Sequence, residues 1–267
     1  MQKKIAILGC GWLGLPLAAR LVKMGHVVKG STTSPEKQVT LEEQGIQPYV
    51  FRVGSTFEGE IGDFFEADIL VLNIPPGRRN PRVEQEHPAQ VQFVIREAMQ
   101  AGIQQVVFVS SSSVYGAYNG TVTEETPPQP ETASGRALRQ AEQWLQAQSI
   151  SSTILRMAGL YGPHRHPARF LAGKTGVKNG NAPINLVHLE EAIEAIIQVI
   201  TQEHWQKLLN ICADEHPTRV AYYSAKAREL QLPPPTFLAE DTVRYKIVSN
   251  EKAKRELGLT FRSLSFE

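Results

Sequence analysis

Gly9-Cys10-Gly11-Trp12-Leu13-Gly14 sets three glycines at G-x-G-x-x-G spacing. The flanks give that spacing meaning. Lys4 to Leu8 (KIAIL) reads as a short strand, and a helical pattern runs from Leu13 to Met24. In that setting the first glycine permits a tight turn. The second lets the backbone approach a pyrophosphate, and the third lets helix and strand pack closely. Free N–H groups at the helix start, with the helix dipole, attract phosphate. The loop points to a bound dinucleotide held by Gly9, Gly11, Trp12, Leu13 and Gly14. The plainer alternative is a glycine-rich turn with no ligand.

The end of the next strand distinguishes two nicotinamide cofactors. An NAD site usually carries Asp or Glu about 20 residues after the loop, to hold the ribose 2′-OH. Here the region reads Lys29-Gly30-Ser31-Thr32-Thr33-Ser34, and the nearest acid is Glu36. The hydroxyls of Ser31, Thr32 and Thr33, with Lys37, would accept a 2′-phosphate that an acid would repel. NADP is therefore favoured over NAD. A Ser/Thr-rich turn capping the next helix is the alternative. A second hydroxyl cluster, Ser110-Ser111-Ser112-Ser113, follows an apolar run and leads into Val114-Tyr115-Gly116. Ligands of open parallel sheets sit beyond the carboxyl ends of strands, so such a cluster can face one.

The elements that must position these groups show in the hydrophobic pattern. Gly25 stands where a helix C-cap glycine belongs, His26 to Lys29 reads as a second strand and Tyr49 to Val53 as a third. Ala67 to Asn73 is of fully buried strand type and is stopped by Pro75-Pro76. Val91 to Ala101 is helical, Gln105 to Ser110 a buried strand, Ala137 to Gln148 helical and Thr153 to Met157 a strand. Strands alternating with helices imply an α/β fold, a Rossmann-like doubly wound parallel sheet over residues 1-158. The strands look too far apart for hairpins. Residues 159-267 change character and read as a smaller C-terminal substrate lobe interleaved with the core. It opens with an irregular Gly-, Pro- and His-rich stretch, then a strongly apolar helix from Glu190 to Thr201. A strand from Leu208 to Cys212 and helices from Val220 to Leu230 and Glu251 to Leu257 follow.

Composition narrows the class. With 267 residues the chain buries a large core without disulfides or metal. A net charge of +1 gives no basic excess for nucleic acid. Cys10 and Cys212 sit in apolar surroundings and read as reduced core residues, which suits a cytoplasmic protein. The apolar run from Ile5 to Ala19 mimics a signal peptide, but its glycines and Pro16 argue against one. No other stretch reaches the roughly 18 apolar residues of a membrane helix.

SSSSVYG resembles the S-S-x-x-V-Y-G motif of the extended short-chain dehydrogenases/reductases, the NAD-dependent epimerase/dehydratase family. Further matches follow in order. Arg156-Met157-Ala158-Gly159-Leu160-Tyr161-Gly162-Pro163 is similar to its L-R-x-x-x-x-Y-G-P segment, and Asn185 to Ala192 (NLVHLEEA) to its V-H-x-x-D segment. Asn210-Ile211-Cys212 and Glu256-Leu257-Gly258 resemble later landmarks. The resemblance implies a small-molecule substrate, cofactor contacts from Ile74, Pro75 and Ser110, a catalytic hydroxyl at Ser111, and homodimerisation through a helix pair.

One departure stands out. The family's Y-x-x-x-K pair tunes a phenol for proton transfer. The matching stretch, Pro130 to Leu138, places Ser134 at the tyrosine position and Leu138 at the lysine position. It resembles an atypical subgroup that carries S-G-R here, followed by a cationic segment. That segment is His164-Arg165-His166-Pro167-Ala168-Arg169-Phe170-Leu171-Ala172-Gly173-Lys174. The resemblance puts it on the substrate side, where Tyr161, His164, His166, Arg169 and Lys174 would suit a phosphate or carboxylate. A solvated loop is the alternative. His164 and His166 without an acid or thiol nearby make a poor metal site, so no metal is expected.

Tyr115 and Tyr161 are candidate substitute acids, although such tyrosines more often pack with one polar end satisfied; Arg136 is a candidate anion ligand at a helix start, and Arg78 and Arg79 fall near the cofactor edge or simply at the surface. Tyr222 and Lys226 also have Y-x-x-x-K spacing, but late in the chain. Core packing with an exposed lysine explains them better. The expected function is an NADP-linked oxidoreductase or epimerase on an anionic or nucleotide-sugar-like substrate. The alternative is a non-catalytic NADP-binding redox sensor or regulatory protein. The N-terminal GCGWLGLPLAARLVKMGH also resembles β-hydroxyacid dehydrogenases, whose later catalytic elements are not evident here.

Overall fold

The computed structural model describes residues 1–77, 80–239 and 243–264. Arg78 and Arg79 lie outside them. The first half alternates as the pattern predicts: β1 (Lys4–Leu8), α1 (Gly14–Lys23), β2 (Val27–Thr32), α2 (Gln38–Glu43), β3 (Gln47–Val53), β4 (Phe57–Gly59), β5 (Ile69–Leu72), α3 (Val83–Gln100) and β6 (Gln105–Ser111). The rest is β7 (Thr121–Val122), α4 (Ala133–Gln146), β8 (Ser151–Met157), β9 (Gly159–Tyr161), α5 (Ala168–Leu171), β10 (Leu186–His188), α6 (Leu189–Thr201), β11 (Leu208–Ile211), α7 (Arg219–Glu229), β12 (Ile247–Val248) and α8 (Glu251–Leu257).

Eight strands form one sheet in the order β11-β8-β6-β5-β1-β2-β3-β4. The β6-β5-β1-β2-β3 neighbours are parallel. Burial explains their composition, since all of β5 and the last four residues of β1 are buried. One expectation fails. β3 and β4 form an antiparallel hairpin in which Val53 opposes Phe57. A ring cluster stabilises it. Phe51 meets Phe57 edge-on at 5.4 Å and Phe64 at 5.1 Å, and Phe57 lies 4.7 Å from Phe93. α3 also starts eight residues before the expected Val91, because Val83, His87 and Pro88 form the buried face there. Polar neighbours hide that face in the sequence.

The chain divides into two compact units. Unit one comprises Met1–Ser111, Thr132–Leu155 and Ile196–Leu208. Unit two comprises Ser112–Glu131, Arg156–Ala195 and the chain from Leu209 onward. Within unit two, β9 pairs in parallel with β10, and β7 with β12. A core of Ile184, Leu186, Ala213, Tyr222 and Leu264 packs against Tyr161 and Tyr223. Among the described residues no helix is long and apolar enough to cross a membrane.

Candidate functional site

Parallel pairing of β2, β1, β5 and β6 brings their carboxyl ends to one edge of unit one. That edge carries Ser31 and Thr32, the Gly9–Gly14 loop, Asn73 and Ser111. The three glycines have different neighbours. Gly9 has φ +104°, and a Cβ there would lie 2.5 Å from the Asn73 carbonyl oxygen. A Cβ on Gly14 would lie 2.1 Å from the Gly9 carbonyl oxygen. Both glycines are required by the fold itself. Gly11 has no protein atom within 4 Å of such a Cβ and is exposed.

The loop is tied down from both sides. The Gly9 N–H donates to Ser31 Oγ at 3.0 Å and the Cys10 N–H to the Ser31 carbonyl at 2.8 Å. Asn73 Nδ2 donates to the Gly9 carbonyl at 2.9 Å. Leu13 at the start of α1 has no side chain able to cap it, and the first turn holds no acid. The helix dipole therefore presents its positive end there with no side chain over it. Pro16 fits because a first-turn N–H has no partner within a helix. α1 buries Gly14, Leu17, Ala18 and Leu21 on one face. Burial pushes the Cys10 thiol up to about 12, so it is an inert core group. The open space before Gly11 and the uncapped helix start fit a dinucleotide pyrophosphate.

At the end of β2, Ser31 is 3% and Thr32 7% exposed. Thr32 Oγ1 accepts the Ser34 N–H at 3.2 Å. Thr33 and Lys37 are exposed, as is Glu36, the nearest acid. Ile74 is half-buried and Pro75 exposed just beyond β5. The serine run follows strand alternation, with Ser110 and Ser112 buried and Ser111 and Ser113 half-buried. Ser110 Oγ donates to the fully buried Glu142 at 2.6 Å, so this hydroxyl serves the core.

α4 opens on a side-chain cap. Thr132 caps the helix, accepting the Gly135 N–H at 3.1 Å. Ser134 is half-buried, and Leu138 is a core residue at 2% exposure. Arg136 was expected to face an anion. Its Nε and Nη2 instead reach both carboxylate oxygens of Glu84 on α3, at 2.9 and 2.7 Å. That bidentate pair already meets the guanidinium's charge.

Unit two holds the remaining candidates. Tyr115 is 1% exposed; its hydroxyl accepts from Arg156 Nη1 at 2.7 Å and donates to Asn210 Oδ1 at 2.9 Å. The guanidinium also lies over the ring, 4.7 Å from its centroid. Burial raises the phenol's pKa against the lowering effect of Arg156. Tyr115 is the packed tyrosine with a satisfied polar end that stood as the alternative to a substitute acid. Tyr161 is half-buried, edge-on to His188 at 5.1 Å, and burial pushes it up to about 12.

His164 is exposed at φ 60°, Arg169 and Lys174 are exposed, and His166 Nδ1 accepts the Ala168 N–H at 3.3 Å. Burial and Lys226 lower the His166 pKa. Lys226, expected in solvent, is 7% exposed because Glu229 pairs with it at 3.0 Å. The sequence reading missed Asn73, whose amide holds the glycine loop. It is the residue before Ile74 at a strand end, but no spacing rule singles it out.

A family model described as "NAD dependent epimerase/dehydratase family" matches residues 5–212. The chain belongs to that family. It is 40% identical to Protein YeeZ of Escherichia coli (strain K12), over 98% of this chain and 96% of that one. Its fold is similar to that of the Bordetella bronchiseptica enzyme WbmG in complex with NAD. That match has a TM-score of 0.80 at 16% identity, over 98% of this chain and 90% of the other. It is also similar to MoeE5 in complex with UDP-glucose and NAD, with TM-score 0.76 and 21% identity over 97% and 94%.

Proposed function

We propose that this chain is an NADP-linked oxidoreductase or epimerase of its family, acting on an anionic, nucleotide-sugar-like small molecule. The carrying observation is the contrast among the glycines. Gly9 and Gly14 are demanded by protein atoms, whereas Gly11 fronts open space beside an uncapped helix start. Thr33 and Lys37, exposed at the end of β2 with no acid before Glu36, support the phosphate-bearing cofactor. The nucleotide-sugar class follows MoeE5, whose structure carries UDP-glucose.

A bound nicotinamide would supply hydride acceptance and donation. The chain supplies the rest. Loop N–H groups and the α1 start hold phosphates, while Ser31 and Asn73 fix the loop. Ser111 offers a hydroxyl to substrate; Tyr161, His164, His166, Arg169 and Lys174 are candidate ligands for an anion. A cytoplasmic location and a homodimer belong to the same proposal. Sedimentation tests the dimer.

Turnover followed by nicotinamide absorbance tests the reaction, with UDP-glucose, UDP-glucuronic acid and simple carbonyls as the panel. Ser111→Ala is expected to lower turnover about hundredfold with cofactor affinity unchanged. Unchanged turnover removes Ser111 from the reaction. A second reading, a non-catalytic NADP-binding sensor, is favoured by buried Leu138 and the tied Tyr115 hydroxyl. Cofactor binding without hydride transfer across the panel would establish it.

A further inference from the structure

Lys29, Lys226 and Lys246 are all drawn out of water, but their charges are balanced differently. Lys29 is 4% exposed, and its Nζ lies 2.7 Å from Asp63 Oδ2. Lys226 pairs with Glu229 at 3.0 Å. Half-buried Lys246 donates to the Ser112 carbonyl at 2.8 Å and forms no ion pair with a carboxylate among the described residues. Glu131 is the charged group it feels, and Glu131 is already engaged by Arg244 and by the Ala117 N–H. Burial holds the Lys246 amine down to about 8. Withdrawing an ammonium from water without a counter-charge is unfavourable, so an unbalanced one points to a ligand that completes it.

The lysine is not there by slack in the chain. Asn185 grips the backbone around it, donating to the Lys246 carbonyl at 2.9 Å and accepting the Val248 N–H at 2.7 Å. The next residue, Ile247, pairs with Thr121 in the β12–β7 ladder. The Tyr245 N–H donates to Asn119 Oδ1 at 3.1 Å. The ammonium carries three donors and spends one on Ser112, the residue that follows Ser111 in the chain.

We propose that Lys246 is an anion-binding residue, forming with the Ser112–Val114 turn a subsite for a carboxylate or phosphate group of the substrate. The assignment of that anion to a substrate rests on the function proposed above.

The test is acetylation of the intact protein, read lysine by lysine by mass spectrometry. Inorganic phosphate, acetate, UDP-glucose and UDP-glucuronic acid serve as protecting probes. Protection of Lys246 by about tenfold is expected from at least one probe, weakening as pH rises past about 8. Protection by phosphate and both nucleotide sugars assigns a phosphate. Protection by acetate and UDP-glucuronic acid alone assigns a carboxylate. Lys246→Met should weaken the protecting probe about tenfold with NADPH affinity unchanged, and Lys246→Arg should restore it. No protection by any probe, or a Met variant that binds as wild type does, overturns the proposal. NADPH titration of the same sample keeps the two ideas apart. Cofactor binding with Lys246 unprotected sinks only this subsite. Protection without cofactor binding sinks only the cofactor reading.

Discussion

At the end of β1 the G-x-G-x-x-G spacing is complete, and two of its three glycines press on protein atoms. Gly9 and Gly14 sit where a Cβ would strike backbone oxygen, and Ser31 and Asn73 hold the loop between them. At the start of α4 side chains, not backbone, set the arrangement. Ser134 is half-buried, Leu138 is a core residue, and Arg136 is spent on Glu84. The two regions are therefore held by different means. The first is fixed by backbone geometry that few substitutions survive. The second depends on side chains that can be exchanged while the helix still packs.

The glycine contrast gives the largest expected effect. Gly14→Val should cost about 4 kcal/mol or more in urea unfolding, because its Cβ has no space beside the Gly9 carbonyl. Gly11→Ala should leave the urea midpoint unchanged and weaken cofactor binding about hundredfold. Loss of stability in the Gly11 variant would erase the distinction between fold-required and ligand-required glycines.

A pH scan probes unit one next. Burial pushes His87 on α3 down from 6.5 to about 4, and its Nε2 has no partner. Between those values the unfolded chain binds the extra proton. Stability is therefore full above 6.5 and falls toward pH 4 by up to about 1.4 kcal/mol per pH unit. His87→Leu should flatten that slope; an unaltered slope would assign it to other groups.

Tyr115→Phe is the smaller effect and bears on unit two. Removing an acceptor from buried Arg156 and a donor from Asn210 should cost about 2 kcal/mol. Turnover per folded molecule should not change. A large loss of turnover at unchanged stability would return Tyr115 to the reaction.

Local chemistry made the first strand, loop and helix legible, since glycine spacing, Pro16 and the Leu17–Leu21 stripe all lie within one short stretch. The β3–β4 hairpin was not legible. Its stabilising rings at 51, 57, 64 and 93 are brought together only by folding. In the candidate site, residue types were readable but directions were not. Ser110 and Ser111 look alike in sequence, and only strand alternation turns one toward Glu142. Lys226 was misjudged for the same reason, because Glu229 supplies a partner that makes burial tolerable. Lys246 lay in no motif at all.

Paired calorimetric titrations of nucleotide-stripped protein with NADPH and NADH test the central claim most directly. The account predicts saturable NADPH binding and NADH binding weaker by about tenfold or more. Equal affinities would contradict the role of Thr33 and Lys37 at the end of β2. Binding of neither would contradict the glycine loop's assignment to a dinucleotide.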